Sequence, residues 1–495
     1  SIAAKVHRQV LSRMTERRRV TSAEVLALEL LSSQMRLQLN FAWFRPHLCS
    51  HTLFWAWAGL DLDMLKRLCE IAVSPKFLMP EDELFGAGEK AVGAFCIAEG
   101  VVHYRQYPEV APVDAVIVEE VEKDAWLSEA GLWMCWTHVG VAEAATQCDV
   151  IAIKADGLTR AIGSDPMVGA LTRDYGKLFH KMTVMSKPPL HHWPNDLGNE
   201  CCVLGEMLPM FRGRVQVAVA RHSLEQFHAK QRWRVGRDDQ LEKEIDSGKS
   251  VVMINSLGDL ERIVCVTDMR LESPEGLILA QVGRVTGDEF GGHITVPESK
   301  HRRGEVAEDV ATRMLRTRLP PLLGRVRWTS FHREDEIQES STDHVKLRRV
   351  HNVITFRFID VQAMDRFRPI PVQDGNLHKR VLYRCGDGIY SWLPGPTLEW
   401  LQSKEGEAER DAWLRAVEAS CREPCDFDVP VMVSLDDLLP LDDKAFARDP
   451  SAANTLSSGG GSPRSMLSSE RSGGAGTPRA SRWPTVREFP FQVVV

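Results

Sequence analysis

The chain lacks any run of the roughly 20 consecutive apolar residues that a membrane-spanning helix requires. Its most apolar windows, near residues 53–60 and 251–266, are short or interrupted by charge. The N-terminus also lacks the basic, apolar and small-residue order of a signal peptide. The chain opens with Ser1 rather than Met, which predicts a piece of a longer protein. We therefore expect a cytoplasmic region without a membrane span in this chain.

An excess of positive charge is also missing. The 495 residues include 61 Lys and Arg against 68 Asp and Glu, for a net charge of −7. Phosphate backbones are bound by concentrated basic faces, so this balance gives no support to a nucleic-acid partner. Apolar residues make up 43% of the chain, which is typical of a globular protein. At roughly 150 residues per domain the length predicts about two or three folded units.

Paired cysteine spacing and common catalytic motifs are absent as well. The 11 cysteines are an odd number, and the close pairs Cys201–Cys202 and Cys421–Cys425 lack a second pair at zinc spacing. This pattern predicts reduced thiols and no metal. The sequence contains no Gly-x-Ser-x-Gly, no phosphate-binding Gly-rich loop ending in Lys-Ser/Thr and no His-Glu-x-x-His. We therefore expect a protein that is not an enzyme.

The apolar pattern of the first half predicts helices around a small β-roll. Thr21 and Glu24 have capping-box spacing and precede an amphipathic helix, which is expected to run into a second stretch that ends near Pro46. A short helix is expected with one apolar face over residues 62–69. From Phe77 short apolar runs broken by glycines indicate antiparallel strands, and a closing helix follows over residues 175–182.

The second half has a mixed pattern and ends in a polar tail. Strands are expected over 262–271, 277–285 and 353–359, and helices over 305–319 and 407–419. The fold class is thus α+β, with a helical segment at 1–48, a β-roll at 49–185, a proline-rich linker at 186–205, a mixed α/β domain at 206–430 and a disordered tail at 440–495. In the tail, the pairs Ser462–Pro463 and Thr477–Pro478 are candidate phosphorylation sites. Phosphorylation there could control docking of the strand-like end at 489–495. The alternative is a tail without a regulatory role, in which these pairs occur by chance.

Residues 22–182 resemble the C-linker and cyclic-nucleotide-binding region of hyperpolarisation-activated, cyclic-nucleotide-gated and ether-à-go-go-type cation channels. The resemblance rests on residues 28–36, 46–48 and 52–54 as the linker entering the roll, and on 81–89 and 95–100 as strands with glycine turns. It implies an antiparallel β-roll that holds a cyclic nucleotide in a loop and short helix.

The resemblance places the nucleotide pocket at residues 126–148. Glu129 lies where the family's Glu binds the ribose hydroxyl, and Ala130 and Gly140 lie in the same pocket. Ser128 replaces a glycine that lets the backbone approach the ligand. His138 replaces the arginine that pairs with the phosphate, and it is expected to be a surface or half-buried histidine.

Those two replacements predict a degenerate pocket. A neutral imidazole supplies one donor where a guanidinium supplies a charged fork, and the loss of such a bond costs about 1.5–3 kcal/mol. We therefore expect no bound cofactor, with cAMP and cGMP bound weakly or not at all. Trp133 and Trp136 either fill the empty pocket or belong to the core.

Residues 297–305 and 313–318 resemble the loop and helix of Nudix hydrolases. Pro297, Lys300, Gly304, Glu305, Arg313 and Leu315 fall at the spacing of that motif, and Ser299 lies in its loop. The family holds divalent metal with helix carboxylates, but this chain has Met314, Thr317 and Arg318 at those positions. Glu305, Glu308 and Asp309 are expected to be favourable charges at a helix N-terminus. The segment therefore predicts an inactive Nudix-like domain without metal.

Three functions remain open on the sequence. The resemblance implies the cytosolic regulatory region of a voltage- or cyclic-nucleotide-gated, potassium-type cation channel, at the cytosolic face of a membrane. Its partners would then be a channel pore domain or membrane-protein subunits, with a homo-oligomer as a further option. The alternative is a soluble non-catalytic signalling scaffold, and the third is a Nudix-type pyrophosphohydrolase.

Overall fold

The computed structural model describes residues 30–163, 165–198, 202–230, 239–247, 250–255, 259–287, 289–339, 345–359, 369–370 and 382–420. The capping box at Thr21, the tail at 440–495 with its two phosphorylation candidates, and Cys201, Cys421 and Cys425 lie outside the described residues.

Within the described part of the chain, which begins at residue 30, three helices precede the roll: α1 (Ser33–Leu48), α2 (Thr52–Leu60) and α3 (Leu62–Ile71). Helix α1 begins at Ser33 and is capped by Ser32, whose Oγ accepts a hydrogen bond from the Met35 amide at 3.2 Å. It continues two residues past Pro46, where the sequence predicts its end, because a proline in the last turn removes only one donor. The apolar face predicted for residues 62–69 is confirmed in α3, which buries Leu65 and Leu68.

The roll consists of two four-stranded antiparallel sheets, with strand orders β1-β8-β3-β6 and β2-β7-β4-β5. The strands are β1 (Val73–Leu78), β2 (Glu83–Phe85), β3 (Gly93–Glu99), β4 (Val102–Gln106), β5 (Ile117–Val121), β6 (Trp126–Leu127), β7 (Val141–Ala144) and β8 (Cys148–Lys154). Gly100 makes the β3–β4 turn at φ +95°, a conformation that glycine adopts without strain. The predicted antiparallel strands with glycine turns are therefore confirmed.

Helices interrupt and close the roll. A single turn, α4 (Ala130–Trp133), lies between β6 and β7, and α5 (Ala155–Ile162) and α6 (Pro166–Met185) follow β8. Asp165 caps α6 by accepting the Met167 and Val168 amides, each at 2.6 Å. Helix α6 is the predicted closing helix, and it buries Tyr175 and Phe179.

A third sheet follows, which has ten strands among the described residues, in the order β14-β15-β10-β11-β18-β17-β16 and with β9, β12 and β13 on its sides. Its pairs are antiparallel apart from β10 with β15, which run parallel. The strands are β9 (Val252–Ile254), β10 (Leu260–Glu272), β11 (Leu277–Thr286), β12 (Glu289–Thr295), β13 (Glu298–Lys300), β14 (Val326–Glu339), β15 (Val345–Phe358), β16 (Pro369–Ile370), β17 (Leu382–Cys385) and β18 (Gly388–Pro394).

Helices pack around this sheet. They are α7 (Leu204–Met207), α8 (Gly213–Lys230), α9 (Asp239–Asp246), α10 (Ala307–Thr317), α11 (Gly395–Gln402) and α12 (Glu407–Ser420), with 3-10 turns at Leu208–Met210 and Pro320–Leu322. Helix α10 buries Val310, Met314 and Leu315 in a cluster with Met269 of β10. The strands predicted over 262–271 and 277–285 and the helices predicted over 305–319 and 407–419 are confirmed within two residues, as part of a mixed helix and antiparallel-sheet fold. The strand predicted over 353–359 belongs to the longer β15, which begins at Val345.

The predicted linker at 186–205 is not a solvated connection. Leu197 forms a bridge with Leu127 of the roll, and Asp196 is fully buried. One hydrophobic cluster also crosses the predicted boundary, since it joins Trp57 and Tyr175 to Met207 and Cys265. The boundary between two domains stays a prediction.

The described cysteines are all free thiols, as the sequence predicts. Within the described part of the chain, no helix combines the length and the apolar character needed to span a bilayer.

Candidate functional site

The loop between β6 and α4 has the backbone shape that the family's glycine would provide. Ser128 lies there at φ +58°, in the left-handed region that favours glycine, and it is fully buried. Its amide donates to the Asp196 carbonyl oxygen at 2.6 Å. The loop is thus held against a residue of the predicted linker.

The Asp196 carboxylate is the centre of the site. Its Oδ1 accepts from Trp136 Nε1 at 2.7 Å and lies 2.7 Å from His138 Nδ1. Its Oδ2 accepts from Tyr104 Oη at 2.9 Å and from the amides of Val139 and Gly140 at 2.9 and 3.0 Å. Five donors therefore converge on one carboxylate.

This arrangement compensates for burying a charge. Asp196 has no exposed surface, and an unpaired carboxylate in such a place would be strongly unfavourable. Charge-assisted bonds from side chains and backbone amides replace the lost water. Donors gathered in this way form an anion-binding site, and here the anion is part of the chain.

His138 lies inside this site, which corrects the expectation of a surface or half-buried histidine. It is 4% exposed, and its ring stacks on Phe85 with 3.8 Å between centroids and 10° between planes. The stacking and the bond to Asp196 fix the ring. Gly140 passes so close to Tyr104 that an added Cβ would lie 2.5 Å from the ring.

Glu129, the expected ribose acceptor, points to a different part of the molecule. Its Oε1 accepts from Trp133 Nε1 at 3.0 Å and Tyr175 Oη at 2.8 Å, and it lies 3.1 Å from His51 Nε2. Burial alone would raise the pKa of Glu129, but His51 and the hydrogen bonds outweigh it and lower the pKa. The expected ribose role is therefore not supported, because this carboxylate ties the loop to the helices.

The structure places the two tryptophans and Ala130 in different surroundings. Trp133 and Ala130 are buried in the core cluster beside α6. Trp136 is partly buried against the same cluster and donates a hydrogen bond to Asp196. Of the predicted pocket residues, the structure gathers Ser128, His138 and Gly140 around Asp196.

Sequence reasoning missed Asp196 and Tyr104. Tyr104 is an inward-facing strand residue, and burial, followed by the nearby Asp196 charge, raises its pKa well above the usual range. Asp196 lies in a proline-rich segment that the sequence indicates is a linker. The sequence shows only a single acidic residue before Leu197 in that segment, and this pattern does not indicate that the acid is buried.

The segment for which the sequence predicts a Nudix-like loop and helix is held together by hydrogen bonds within the chain, one of which is also an ion pair. Arg313 Nε donates to Glu305 Oε1 at 2.8 Å, and Arg313 Nη1 donates to Ser299 Oγ at 3.1 Å. Arg318 Nη1 donates to the Glu298 carbonyl at 2.6 Å, and Thr317 Oγ1 donates to the Arg313 carbonyl at 2.8 Å. Met314, at a position where the sequence resemblance implies a carboxylate, is fully buried in the core.

The acids at the start of α10 also have partners in the chain. Asp309 Oδ2 accepts from the Val306 amide at 2.8 Å and pairs with Lys181 of α6. Glu308 lies 3.0 Å from His191 Nε2. The side chain of His191 is only 16% exposed. Glu308 thus connects the segment around His191 to α10, whereas Asp309 caps α10 and pairs with α6.

No protein-family model matches the chain, and no curated protein matches it. Among solved structures, a cyclic nucleotide-binding-like protein from Brucella abortus bv. 1 str. 9-941 is 22% identical, with 22% of this chain and 95% of that chain covered and a TM-score of 0.19. The N-terminal domain of a transcriptional regulator from Streptomyces coelicolor A3(2) is 20% identical, with coverage of 27% and 93% and a TM-score of 0.23.

A third structure, named "cAMP bound PfPKA-R (141-441)", is 17% identical, with 30% of this chain and 51% of that chain covered and a TM-score of 0.24. Each of these is a structure to which part of the chain is similar. At such TM-scores the likeness carries no argument about function, which has to come from the geometry of the site.

Proposed function

We propose that the chain is a non-catalytic regulatory module with a cyclic-nucleotide-binding-like roll whose anion position is filled by its own Asp196. The observation that carries this proposal is the convergence of five donors on one fully buried carboxylate. The segment containing Asp196 would then act as an internal ligand that holds the roll in one state.

The positions of the donors support this proposal. The loop residues His138, Val139 and Gly140 lie where the resemblance places the phosphate-binding arginine and the residues after it. All three contact Asp196. A cyclic phosphate at the same donors would have to displace a carboxylate with the same charge sign. Free cAMP or cGMP is therefore expected to bind weakly or not at all.

The decisive experiment removes the internal ligand and restores the missing cation. Asp196→Ala combined with His138→Arg should bind cAMP about 10- to 100-fold more tightly than the unmodified chain, because a charged bond of about 1.5–3 kcal/mol is regained in an empty site. His138→Arg alone should give no such gain, since the guanidinium would pair with Asp196. Isothermal titration calorimetry measures all three affinities.

Exposed Asp114 provides the matched control, because Asp114→Ala removes an acid from the same roll outside the site. Far-UV circular dichroism establishes that each variant is folded. Asp196→Asn keeps an acceptor of the same size and serves if the alanine variant unfolds. Low-micromolar cAMP binding by the unmodified chain, or no gain in a folded double variant, would contradict the proposal.

We propose that the Nudix-like segment is catalytically inactive. Its helix presents Met314, Thr317 and Arg318 in place of carboxylates, and Arg318 donates to the Glu298 carbonyl. A guanidinium at this point opposes a divalent cation in the same place. Metal-dependent hydrolysis of nucleoside diphosphate derivatives that Glu305→Gln abolishes would overturn this proposal.

We further propose that the chain is the cytosolic regulatory region of a cation channel. This proposal rests on the sequence resemblance. One observation favours a partner at this end: α1 exposes Met35, Leu39 and Trp43 at 55%, 48% and 39%. The coding sequence upstream of Ser1 tests the proposal that the chain belongs to a channel. Six apolar segments with an arginine-rich fourth would support it, and another soluble domain would favour the signalling scaffold.

A further inference from the structure

A second polar cluster lies on the ten-stranded sheet, away from the Asp196 site. Asp268 of β10 faces Glu298 of β13 directly across the antiparallel pair. His351 comes from the parallel neighbour β15, where it is level with Val266. One ligand atom from each of the three side chains lies within 4.8 Å of the others.

These side chains project from the sheet face opposite α10. Met269, next to Asp268, packs in the cluster that contains α10, and Ser299, next to Glu298, accepts from Arg313 of α10. Asn352, next to His351, contacts His301, which lies on the α10 side. Since side chains alternate along a strand, the cluster is separate from the Nudix-like helix.

Asp268 carries the observation that points to a ligand. The residue is 6% exposed, and its Oδ2 lies 2.7 Å from His351 Nδ1. Its Oδ1 is buried and has no hydrogen-bond partner among the described residues. A buried carboxylate oxygen without a partner is costly. A cation between Asp268, Glu298 and His351 would satisfy it.

The charge around the cluster fits the same conclusion. Two carboxylates share the site with one imidazole, and Glu336 of β14 adds a third acid at 3.7 Å from His351 Nε2. Two oxygen ligands and one nitrogen ligand, with a further position open to water, suit four-coordinate zinc. Mg²⁺ prefers six oxygen ligands in octahedral geometry, so it fits this set less well.

We propose that Asp268, Glu298 and His351 form a binding site for a divalent transition metal of the Zn²⁺ type. The metal would join β10, β13 and β15 and would stabilise this part of the sheet. This site differs from the sequence expectation of no metal, because its ligands lie on three strands that only the fold brings together.

The test titrates the full chain with Zn²⁺ by calorimetry and follows thermal unfolding with and without the ion. We expect one Zn²⁺ to bind and to raise the melting temperature, because an ion that binds only the folded state stabilises it. Glu298→Gln and His351→Gln should each weaken binding at least tenfold, whereas Mg²⁺ should leave the melting temperature unchanged. His332→Gln is the matched control, because His332 is a half-exposed histidine of neighbouring β14.

Two further measurements keep the outcome clear. Co²⁺ in place of Zn²⁺ should give a visible spectrum without the strong thiolate band that cysteine ligands produce. Asp268→Asn should fold and melt at the same temperature with and without Zn²⁺. The proposal is overturned if the full chain binds no stoichiometric Zn²⁺, if folded Glu298→Gln and His351→Gln bind as tightly as the control, or if the Co²⁺ spectrum shows thiolate ligation.

Discussion

At the residue scale, two buried carboxylates on either side of one loop have different tasks. Asp196 is held by donors from the strands and loop of the roll, whereas Glu129 is held by His51, Trp133 and Tyr175. Ser128 connects the two, because its amide donates to the Asp196 carbonyl oxygen and it directly precedes Glu129 in the chain. The loop is therefore fixed from both sides.

Glu129 leads to a prediction about acid stability. Its folded-state pKa is lowered from the ordinary value of 4.5, so its ionic contribution to stability is full above about pH 4.5 and is lost as the pH falls through the folded-state pKa. Glu129→Gln should lower the free energy of unfolding by about 1.5–3 kcal/mol at neutral pH. The variant should also lose less stability than the unmodified chain below pH 4.5.

Urea denaturation at a series of pH values measures both effects. Glu109, which is exposed, provides the control. Glu109→Gln should change neither the stability at neutral pH nor the loss of stability below pH 4.5. Equal loss of stability at every pH in the Glu129 variant would contradict the ionic role.

At the element scale, Arg313 joins α10 to the preceding loop. Its guanidinium makes four hydrogen bonds, two to Glu305 and one each to Ser299 Oγ and the Lys300 carbonyl. This planar fork reaches partners that a single ammonium cannot reach together. The motif-like spacing of Glu305 and Arg313 therefore has a structural role without any metal.

Arg313→Lys should lower the free energy of unfolding by about 1.5–3 kcal/mol, because charge-assisted bonds are lost while the charge remains. Arg316→Lys, at an exposed position of the same helix, should have little effect. Chemical denaturation compares the two. If both variants were equally stable, the loop would be held by packing rather than by the guanidinium.

At the scale of the whole molecule, one hydrophobic cluster connects the helices of the roll with the ten-stranded sheet. Met207 of α7 is fully buried in this cluster, and α7 contacts α2, α6 and β10. The segment bearing Asp196 adds a polar connection to the roll. The two halves should therefore lose structure together.

Met207→Ala should lower the free energy of unfolding by about 2–5 kcal/mol through a cavity at this junction. Hydrogen exchange at rising urea should show β3 and β10 losing protection over the same range, at lower urea than in the unmodified chain. Val184→Ala, an exposed position on neighbouring α6, should leave both strands unchanged. Loss of protection in β10 alone would instead indicate two independent domains.

The sequence by itself determined the local elements and the roll. Periodic apolar residues placed α3, α6, the strands of the roll and three of the ten described strands of the second half, because burial of one face requires that spacing. Family spacing also located the loop at Ser128 and the donors His138 and Gly140. These features depend on neighbours in the chain, which the sequence displays directly.

Only the tertiary structure decided what the loop binds. Asp196 lies 58 residues beyond His138 in the chain, and nothing local distinguishes it from a solvated acid in a linker. The same holds for Asp268 and His351, which are 83 residues apart. Burial of a charge depends on which distant donors or cations surround it, and the packing of the whole chain sets those distances.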